Sequence, residues 1–357
     1  MSGPALERTV AGYAALKAAA ANPNSRFAYA ANDPDSAGWR LAQNAPVLVA
    51  SAPKFQLSTA DTIFTMGSCF ARNVEESLIR LGIRVSLADF DFPLEFFHPN
   101  YSRLFSWANT SLHGNLVRSV LNKYSPLSML NEFQRLLTPE TFADPAKGLI
   151  QVDEYRWFDP HIKNTRMMGW EDCVASHQRV NAATSTVRNA TALFLTLGFT
   201  ETWLDAETGY VLNVAPPPAL LKRWPERFRF YNATHADILD SLKGIYELVT
   251  THIRPDMKFI VTVSPVPLGT TFTPMDVIAA NAYSKATLRS AAGEFCAAHA
   301  NVDYYPSYEM VTSTSPAIAW QEDRIHVTVP LVDTVIGRFV DSYFGESVVA
   351  KTAASAP

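Results

Sequence analysis

The sequence has 357 residues, of which 48% are hydrophobic, so it can bury a substantial core in one large domain or two small ones. Its 30 Lys and Arg residues against 34 Asp and Glu residues give a net charge of −4, which excludes the basic surface typical of nucleic-acid-binding proteins and of polybasic membrane anchors. A small-molecule or carbohydrate-like ligand is expected instead.

Residues 1–54 are expected to form an N-terminal arm. The alanine-rich run Tyr13–Ala21 predicts a short helix, and Lys17 within it argues against a secretory signal. Residues 22–53 are dense in Pro, Asn, Asp and Ser and are expected to wrap the surface as an ordered segment. Because no run of about 18 apolar residues occurs, we expect no membrane span and a cytoplasmic location.

The next segment predicts a strand, a tight turn and a helix. Residues 61–66 are apolar and β-branched, Gly67-Ser68-Cys69 forms the turn, and residues 71–81 have apolar residues at helical spacing. A side chain in such a turn lies over the carboxyl end of a parallel strand and beside a helix N-terminus, which favours a thiolate. A buried cysteine in an ordinary turn is the alternative.

A second strand is predicted at 83–87, followed by an aromatic and proline-rich loop at 90–99 that is expected to line a groove. Residues 100–175 carry helical fragments without a clear strand-helix alternation and are interpreted as a helical insertion after the second strand. Such an insertion could form a lid or wall of a binding site, or pack beneath the sheet, and the pattern does not separate these roles.

Strands and helices alternate regularly from His177 onward, which predicts a doubly wound parallel α/β sheet of the three-layer, flavodoxin-like type. The α/β domain is expected to span residues 55–345, with a flexible C-terminal tail at 346–357. The predicted elements are a helix to Val187, strand 192–197, helix 236–252, strand 259–263, helix 275–298, strand 302–305 and helix 331–343.

The three cysteines, Cys69, Cys173 and Cys296, lie far apart without C-x-x-C spacing, so neither a disulfide framework nor a zinc site is expected. The eight histidines are scattered and show no H-x-H or H-E-x-x-H spacing, so no metal is predicted. The oligomeric state leaves no readable pattern in the chain.

Three segments at predicted strand ends carry polar chemistry: Gly67-Ser68-Cys69, Leu197–Trp203 and Asp323-Arg324-Ile325-His326. Because the carboxyl ends of parallel strands share one edge of the sheet, we expect these segments to meet. An Asp and a His three positions apart can place the imidazole over the site, with the carboxylate fixing its tautomer.

The order of these segments resembles the SGNH or GDSL hydrolases. More closely, Gly67-Ser68-Cys69-Phe70-Ala71 spells the name of the GSCFA family, which the chain resembles over about residues 55–345. The likeness extends to other segments: Thr262–Leu268, Asn281–Lys285, Leu288-Arg289 and Pro306–Glu309. The resemblance implies an SGNH-like fold.

The resemblance implies a nucleophile in the third place of the motif, which is Cys69, with Ser68 as the alternative. His326 would be its base and Asp323 would orient the imidazole. A similar Gly-Asn-Cys start occurs in proteins assigned as capsule acetyltransferases of polysaccharide biosynthesis, so acyl transfer stays open beside hydrolysis. The resemblance also implies that Gly198 and Thr200 contribute to an oxyanion hole. Thr200 replaces the asparagine of the SGNH hydrolases, and its hydroxyl has a shorter reach than the asparagine amide.

Four further residues are candidates for substrate binding. Glu201 and Trp203 could contact a sugar ring, although Trp203 could equally be core. His161 in the insertion could approach the mouth of the site, and Ser264 at a strand end could line the pocket or cap a turn. Arg72 is expected to have a structural role.

The sequence thus predicts an acyl-ester hydrolase or O-acyltransferase that acts on a small or carbohydrate-like substrate through a covalent acyl-enzyme. No cofactor is expected, except an acyl donor such as acetyl-CoA if the protein is a transferase. The alternative is a catalytically inactive module that uses the same scaffold to bind glycans or proteins.

Overall fold

A five-stranded parallel sheet forms the centre of the protein in the computed structural model, which describes residues 9–100, 116–138 and 145–345. The strands of the described residues are β1 Thr62–Gly67, β2 Arg84–Val85, β3 Ile150–Gln151, β4 Trp157–Phe158, β5 Ala192–Leu197, β6 Glu201–Asp205, β7 Val211–Leu212, β8 Phe228–Asn232, β9 Lys258–Val263 and β10 Val302–Tyr304. The central sheet has the order β2-β1-β5-β9-β10, so the predicted parallel α/β sheet is confirmed.

Helices cover both faces of this sheet. The α-helices with described bounds are α1 Gly12–Ala21, α2 Ala37–Ala42, α3 Cys69–Arg80, α4 Pro126–Leu137, α5 Trp170–Ser185, α6 Pro218–Arg223, α7 His235–His252, α8 Val277–Ala298, α9 Ser307–Ser313, α10 Pro316–Ala319 and α11 Val329–Phe344. In the part of the chain that the structure describes, none is long and apolar enough to cross a bilayer.

Side chains alternate between the two faces of each central strand. In β5, for example, Leu193 and Leu195 pack with α4, α5, α7 and α8, while Phe194 packs with α3, α9 and α11. All six residues of β5 are buried, as expected for a parallel strand covered on both sides. The result is three layers, with the sheet between two sets of helices.

Four of the predicted helix starts, at residues 71, 177, 275 and 331, lie two or more residues from the observed starts at Cys69, Trp170, Val277 and Val329. Helix α3 begins at Cys69 rather than at residue 71, because the Ser68 side chain accepts a hydrogen bond from the Phe70 N–H and caps the helix at that point. The helix predicted from His177 begins earlier, at Trp170, with Glu171 and Asp172 in its first turn, where acidic side chains favour the helix dipole.

An antiparallel sheet that the sequence did not predict follows β5. Its order is β7-β6-β8, and β6 begins only four residues after β5 ends. The segment containing Glu201 and Trp203, predicted as a polar strand end, is therefore itself a strand. This second sheet stands beside the carboxyl end of the central sheet.

The insertion both packs in the core and reaches the site. Helix α4 lies against α7, with Met129 and Phe133 fully buried, while Tyr124 and Lys163 line the pocket described below. The loop predicted to line a groove places Phe92, Phe96 and Phe97 in the core instead. Residues 101–115 and 139–144 of the predicted insertion, and the predicted C-terminal tail at 346–357, lie outside the described residues.

The N-terminal arm is attached to the domain along its later part. The Val47 N–H donates to Thr314 Oγ1, the Leu57 N–H donates to the Tyr343 carbonyl, and Lys54 Nζ donates to three backbone carbonyls at the end of α8 and the start of β10. The predicted helix near the start of the arm is α1, and none of its residues is buried.

Candidate active site

A pocket of about 440 Å³ lies at the carboxyl end of the central sheet. Its lining comes from the ends of β1, β5 and β9, from β6 and β7, and from the insertion. The order of the sheet reverses between β1 and β5, and in open α/β sheets the crevice at such a reversal is where ligands bind. The volume is in the range of small-molecule sites.

Cys69 lies half-buried in this pocket as the first residue of α3. Gly67 permits the approach of β1 to β5 here, since a Cβ atom on it would lie 2.5 Å from the Thr196 carbonyl oxygen. Among the described residues, the Cys69 N–H has no hydrogen-bond partner. The sulfur and this N–H therefore share the positive end of a helix, where negative charge on a bound oxyanion is stabilised.

Ser68, the alternative nucleophile, is buried beneath Cys69. Its hydroxyl donates a 2.9 Å hydrogen bond to Ser264 Oγ and caps α3 through the Phe70 N–H. Ser264 is fully buried, and its N–H donates to the Leu197 carbonyl. The two serines thus brace the turn that presents Cys69, and Ser264 contacts Ser68 rather than the pocket.

His326 and Asp323 come from the loop between α10 and α11. Asp323 Oδ2 lies 2.5 Å from His326 Nδ1, and its Oδ1 accepts the N–H groups of Ile325 and His326. Arg324 adopts a left-handed conformation, with φ 58°, that closes this turn. A hydrogen bond with Cys69 is the main reason that the pKa of His326 rises to about 9, and Asp323 adds to it against the effect of burial.

The pKa of Asp323 is lowered, whereas that of His326 is raised. Burial raises the Asp323 pKa, but the backbone N–H and the imidazole of His326 lower it more, to about 2. At neutral pH the arrangement therefore contains a carboxylate and an imidazolium, with the imidazolium hydrogen-bonded to Cys69. This is the charge arrangement that activates a cysteine nucleophile. The structure brings together all three residues that the sequence predicted.

Three further cations lie within electrostatic reach of Cys69. Lys163 lines the pocket, Lys285 lies fully buried behind it, and Arg72 pairs with Glu75 at 2.9 Å in the first turn of α3. Sequence reasoning missed both lysines. Lys163 is a single lysine in a loop without a pattern, whereas Lys285 belongs to one of the segments that carried the family resemblance.

A model of the GSCFA family matches residues 62–339, well over half of the chain. The chain belongs to the GSCFA family. The match begins at the first residue of β1 and ends within α11, so the GSCFA region contains the whole central sheet together with Cys69, Asp323 and His326. No curated protein and no solved structure matches this GSCFA chain.

The two residues predicted to complete an oxyanion hole make other hydrogen bonds in this GSCFA protein. The Gly198 N–H donates to the Tyr124 carbonyl at 2.9 Å, and the Thr200 hydroxyl, fully buried, donates to Asn232 at 2.6 Å. Gly198 permits a close backbone approach, and the group that approaches it is the Tyr124 backbone. Both predicted donors are thus already hydrogen-bonded within the protein, and the Cys69 N–H remains as a donor for an oxyanion.

Glu201 and Trp203 both line the pocket, as the prediction requires. The Glu201 carboxylate accepts hydrogen bonds from the Thr271 hydroxyl and the Phe272 N–H, so it holds the loop after β9 in place. The Trp203 ring packs edge-on against Phe230 and Phe272. Trp203 and Phe272 thus form an aromatic wall of the pocket, and the Glu201 carboxylate is used within the protein.

His161 does not reach the mouth of the site. Its ring is buried against Tyr210, and burial lowers its pKa well below the usual value, so the ring is neutral. Its backbone N–H donates to Asp159, which also contacts His177. In the described ranges of the chain, no group of three or more His, Cys, Asp or Glu side chains could hold a metal ion.

Proposed function

We propose that this GSCFA protein is an acyl-ester hydrolase or O-acyltransferase that forms a covalent thioester on Cys69. The observation that carries the proposal is that His326 is hydrogen-bonded to Asp323 and interacts with Cys69, which lines the pocket. The parallel sheet and the position of the three residues after the first strand and before the last helix also match the layout of SGNH-type hydrolases.

In the first step the Cys69 thiolate attacks the carbonyl carbon of an ester. The negative charge that develops on the carbonyl oxygen is stabilised by the Cys69 N–H at the N-terminus of α3. When the C–O bond breaks, the His326 imidazolium gives its proton to the leaving alkoxide. The products of this step are an alcohol, a thioester on Cys69 and a neutral imidazole.

In the second step the neutral His326 takes a proton from water or from an acceptor hydroxyl, whose oxygen attacks the thioester. The C–S bond breaks, the acyl group leaves as an acid or a new ester, and the thiolate-imidazolium pair returns. Asp323 keeps the imidazole oriented throughout. With water the protein is a hydrolase, and with a sugar hydroxyl it is an acyltransferase whose donor could be acetyl-CoA.

Acyl-enzyme trapping tests this proposal. The protein is mixed with p-nitrophenyl acetate, quenched in acid and digested, and each cysteine-containing peptide is weighed by mass spectrometry. We expect one acetyl group on the Cys69 peptide and none on the Cys173 or Cys296 peptides, because both of those thiols are buried. Adding candidate sugars to the acylated protein then distinguishes transfer from hydrolysis.

Matched variants separate the two candidate nucleophiles. Cys69→Ala should abolish trapping, whereas Ser68→Ala should retain it and lose only about 1 kcal/mol of stability as the helix cap is removed. An acetyl group on Ser68, or turnover that persists in Cys69→Ala, would contradict the thiol mechanism.

A binding module on the same scaffold is the second candidate. It is favoured by the hydrogen bonds that already occupy Gly198 and Thr200, since an active SGNH-type site would direct such donors to an oxyanion. The aromatic wall at Trp203 and Phe272 suits a sugar ring. Glycan binding that is unchanged in Cys69→Ala, together with no trapped acyl group, would support this second function.

A further inference from the structure

Lys163 is placed inside the pocket by the loop that follows β4 and His161. It lines the pocket together with Cys69, Tyr124 and Phe199. Its Nζ lies 5.8 Å from the centroid of the Tyr124 ring, which stacks on Phe199 with centroids 5.0 Å apart and planes 9° apart. A rigid aromatic pair therefore supports the lysine beside the cysteine.

No carboxylate pairs with Lys163 among the described residues, although other lysines of the protein do have such partners. Lys123 lies 2.9 Å from Glu132, and Lys258 lies 3.7 Å from Asp61. For Lys163, burial lowers the pKa and the Cys69 sulfur raises it, and no acidic side chain contributes. A half-buried ammonium without a carboxylate is costly, so its position in a binding pocket points to an anion from outside.

The other charged groups of the pocket cannot supply that anion. Glu201, the acidic residue of the lining, is occupied by Thr271 and Phe272. The Cys69 sulfur already interacts with the His326 imidazolium, and it has no charge when it carries an acyl group. In the acylated state the pocket therefore presents an uncompensated positive charge at Lys163.

We propose that Lys163 binds an anionic group of the substrate, so that the substrate is an ester or thioester carrying a carboxylate or a phosphate near the carbonyl that Cys69 attacks. This inference rests on the proposed acyl chemistry and narrows its substrate class. Lys163 acts as a point charge that holds either anion, and it sets specificity without taking part in bond formation.

A pair of alkylating reagents with nearly the same shape tests the proposal. Iodoacetate is an anion and iodoacetamide is neutral, and both label thiolates. We expect the rate with iodoacetate divided by the rate with iodoacetamide to be higher at Cys69 than for glutathione. Lys163→Gln should lower this ratio at Cys69 by about tenfold at low salt. Added salt should lower the ratio in wild type, since a partly exposed charge is screened. Lys163→Arg should restore it.

Lys17→Gln is the matched control, because Lys17 also lies over a tyrosine ring but belongs to the exposed helix α1. It should leave the ratio unchanged. Protection of Cys69 by inorganic phosphate more than by acetate would identify a phosphate, and the reverse would identify a carboxylate.

A ratio at Cys69 that is the same in wild type and in Lys163→Gln would overturn the role of Lys163, and so would the lack of protection by either anion. If Cys69 reacts rapidly with iodoacetamide in that case, the proposed thiol chemistry stands and only the substrate class fails. A Cys69 that reacts with neither reagent would instead remove the proposed function itself.

Discussion

Lys285 holds two segments of the pocket together from inside the protein. It is fully buried, and its Nζ donates to the carbonyls of Gly198, after β5, and Val266, after β9. Burial lowers its pKa to about 7, although the nearby Cys69 raises it. The neutral amine still has two hydrogens, so deprotonation removes a buried charge without breaking either hydrogen bond.

The stability contributed by Lys285 should therefore depend on pH. Between about pH 7 and the ordinary pKa of lysine, the unfolded chain binds a proton that the folded protein does not, so folding becomes more favourable as pH rises. Relative to Lys285→Met, wild type should gain up to about 1.4 kcal/mol of unfolding free energy per pH unit in this range. Urea unfolding of both proteins from pH 6 to 9 measures the difference. A difference that stays constant or shrinks as pH rises would contradict the assignment.

At the scale of elements, the junction between β5 and β6 depends on a close backbone contact. The N–H groups of Gly198 and Phe199 both donate to the Tyr124 carbonyl, and a Cβ atom on Gly198 would lie 2.5 Å from that oxygen. This contact joins the insertion to the carboxyl end of the central sheet, where the pocket lies.

Gly198→Ala should destabilise the protein by about 2 to 3 kcal/mol, because backbone rather than a flexible side chain must move. Gly269→Ala is the matched control: Gly269 also lines the pocket, but nothing lies within 4 Å of the Cβ position, so the change should stay within about 0.5 kcal/mol. Thermal or urea unfolding distinguishes them. Equal stability of the two variants would show that the Tyr124 contact is not a constraint.

The elements that the sequence predicted well are those with a continuous local pattern. The predicted strand 192–197 is β5 to the residue, and the helix predicted at 236–252 begins one residue earlier. Both have clear local signals, because β5 is apolar apart from Thr196 and α7 begins with a capping box. The sheet of β6, β7 and β8 was missed because its strands contain polar residues. These residues are buried only because they form hydrogen bonds with residues far away in the sequence. Glu201, for example, is satisfied by Thr271 and Phe272.

The residues of the candidate site that the sequence predicted also differ from those it missed in how clear their local pattern is. Cys69 directly follows β1, so its position could be predicted from the rule that strand ends converge. Asp323 and His326 were also predicted at a strand end, but they lie in the loop between α10 and α11, and only their position before the last helix was predicted correctly. The bonds that occupy Gly198 and Thr200 come from Tyr124 and Asn232, neither of which belongs to a recognisable pattern. Lys163 gave no signal at all, since an isolated lysine usually lies on the surface.

At the scale of the whole molecule, the site exists only in the folded chain. Cys69 follows the first strand of the sheet, and His326 precedes the last helix, so the fold brings together the two ends of the GSCFA region. The other two cysteines are buried, and burial raises the pKa of each to about 12. The molecule therefore contains its own internal reference for thiol reactivity.

The most direct test of the account is the rate of iodoacetamide alkylation of each cysteine at pH 7, read by peptide mass spectrometry. In the native protein Cys69 should react at least about tenfold faster than Cys173 and Cys296, His326→Ala should remove most of this advantage, and the exposed His252→Ala should not. In urea the three rates should converge. A native Cys69 that reacts no faster than the buried cysteines, or one whose rate is unaffected by His326→Ala, would contradict the thiolate-imidazolium pair.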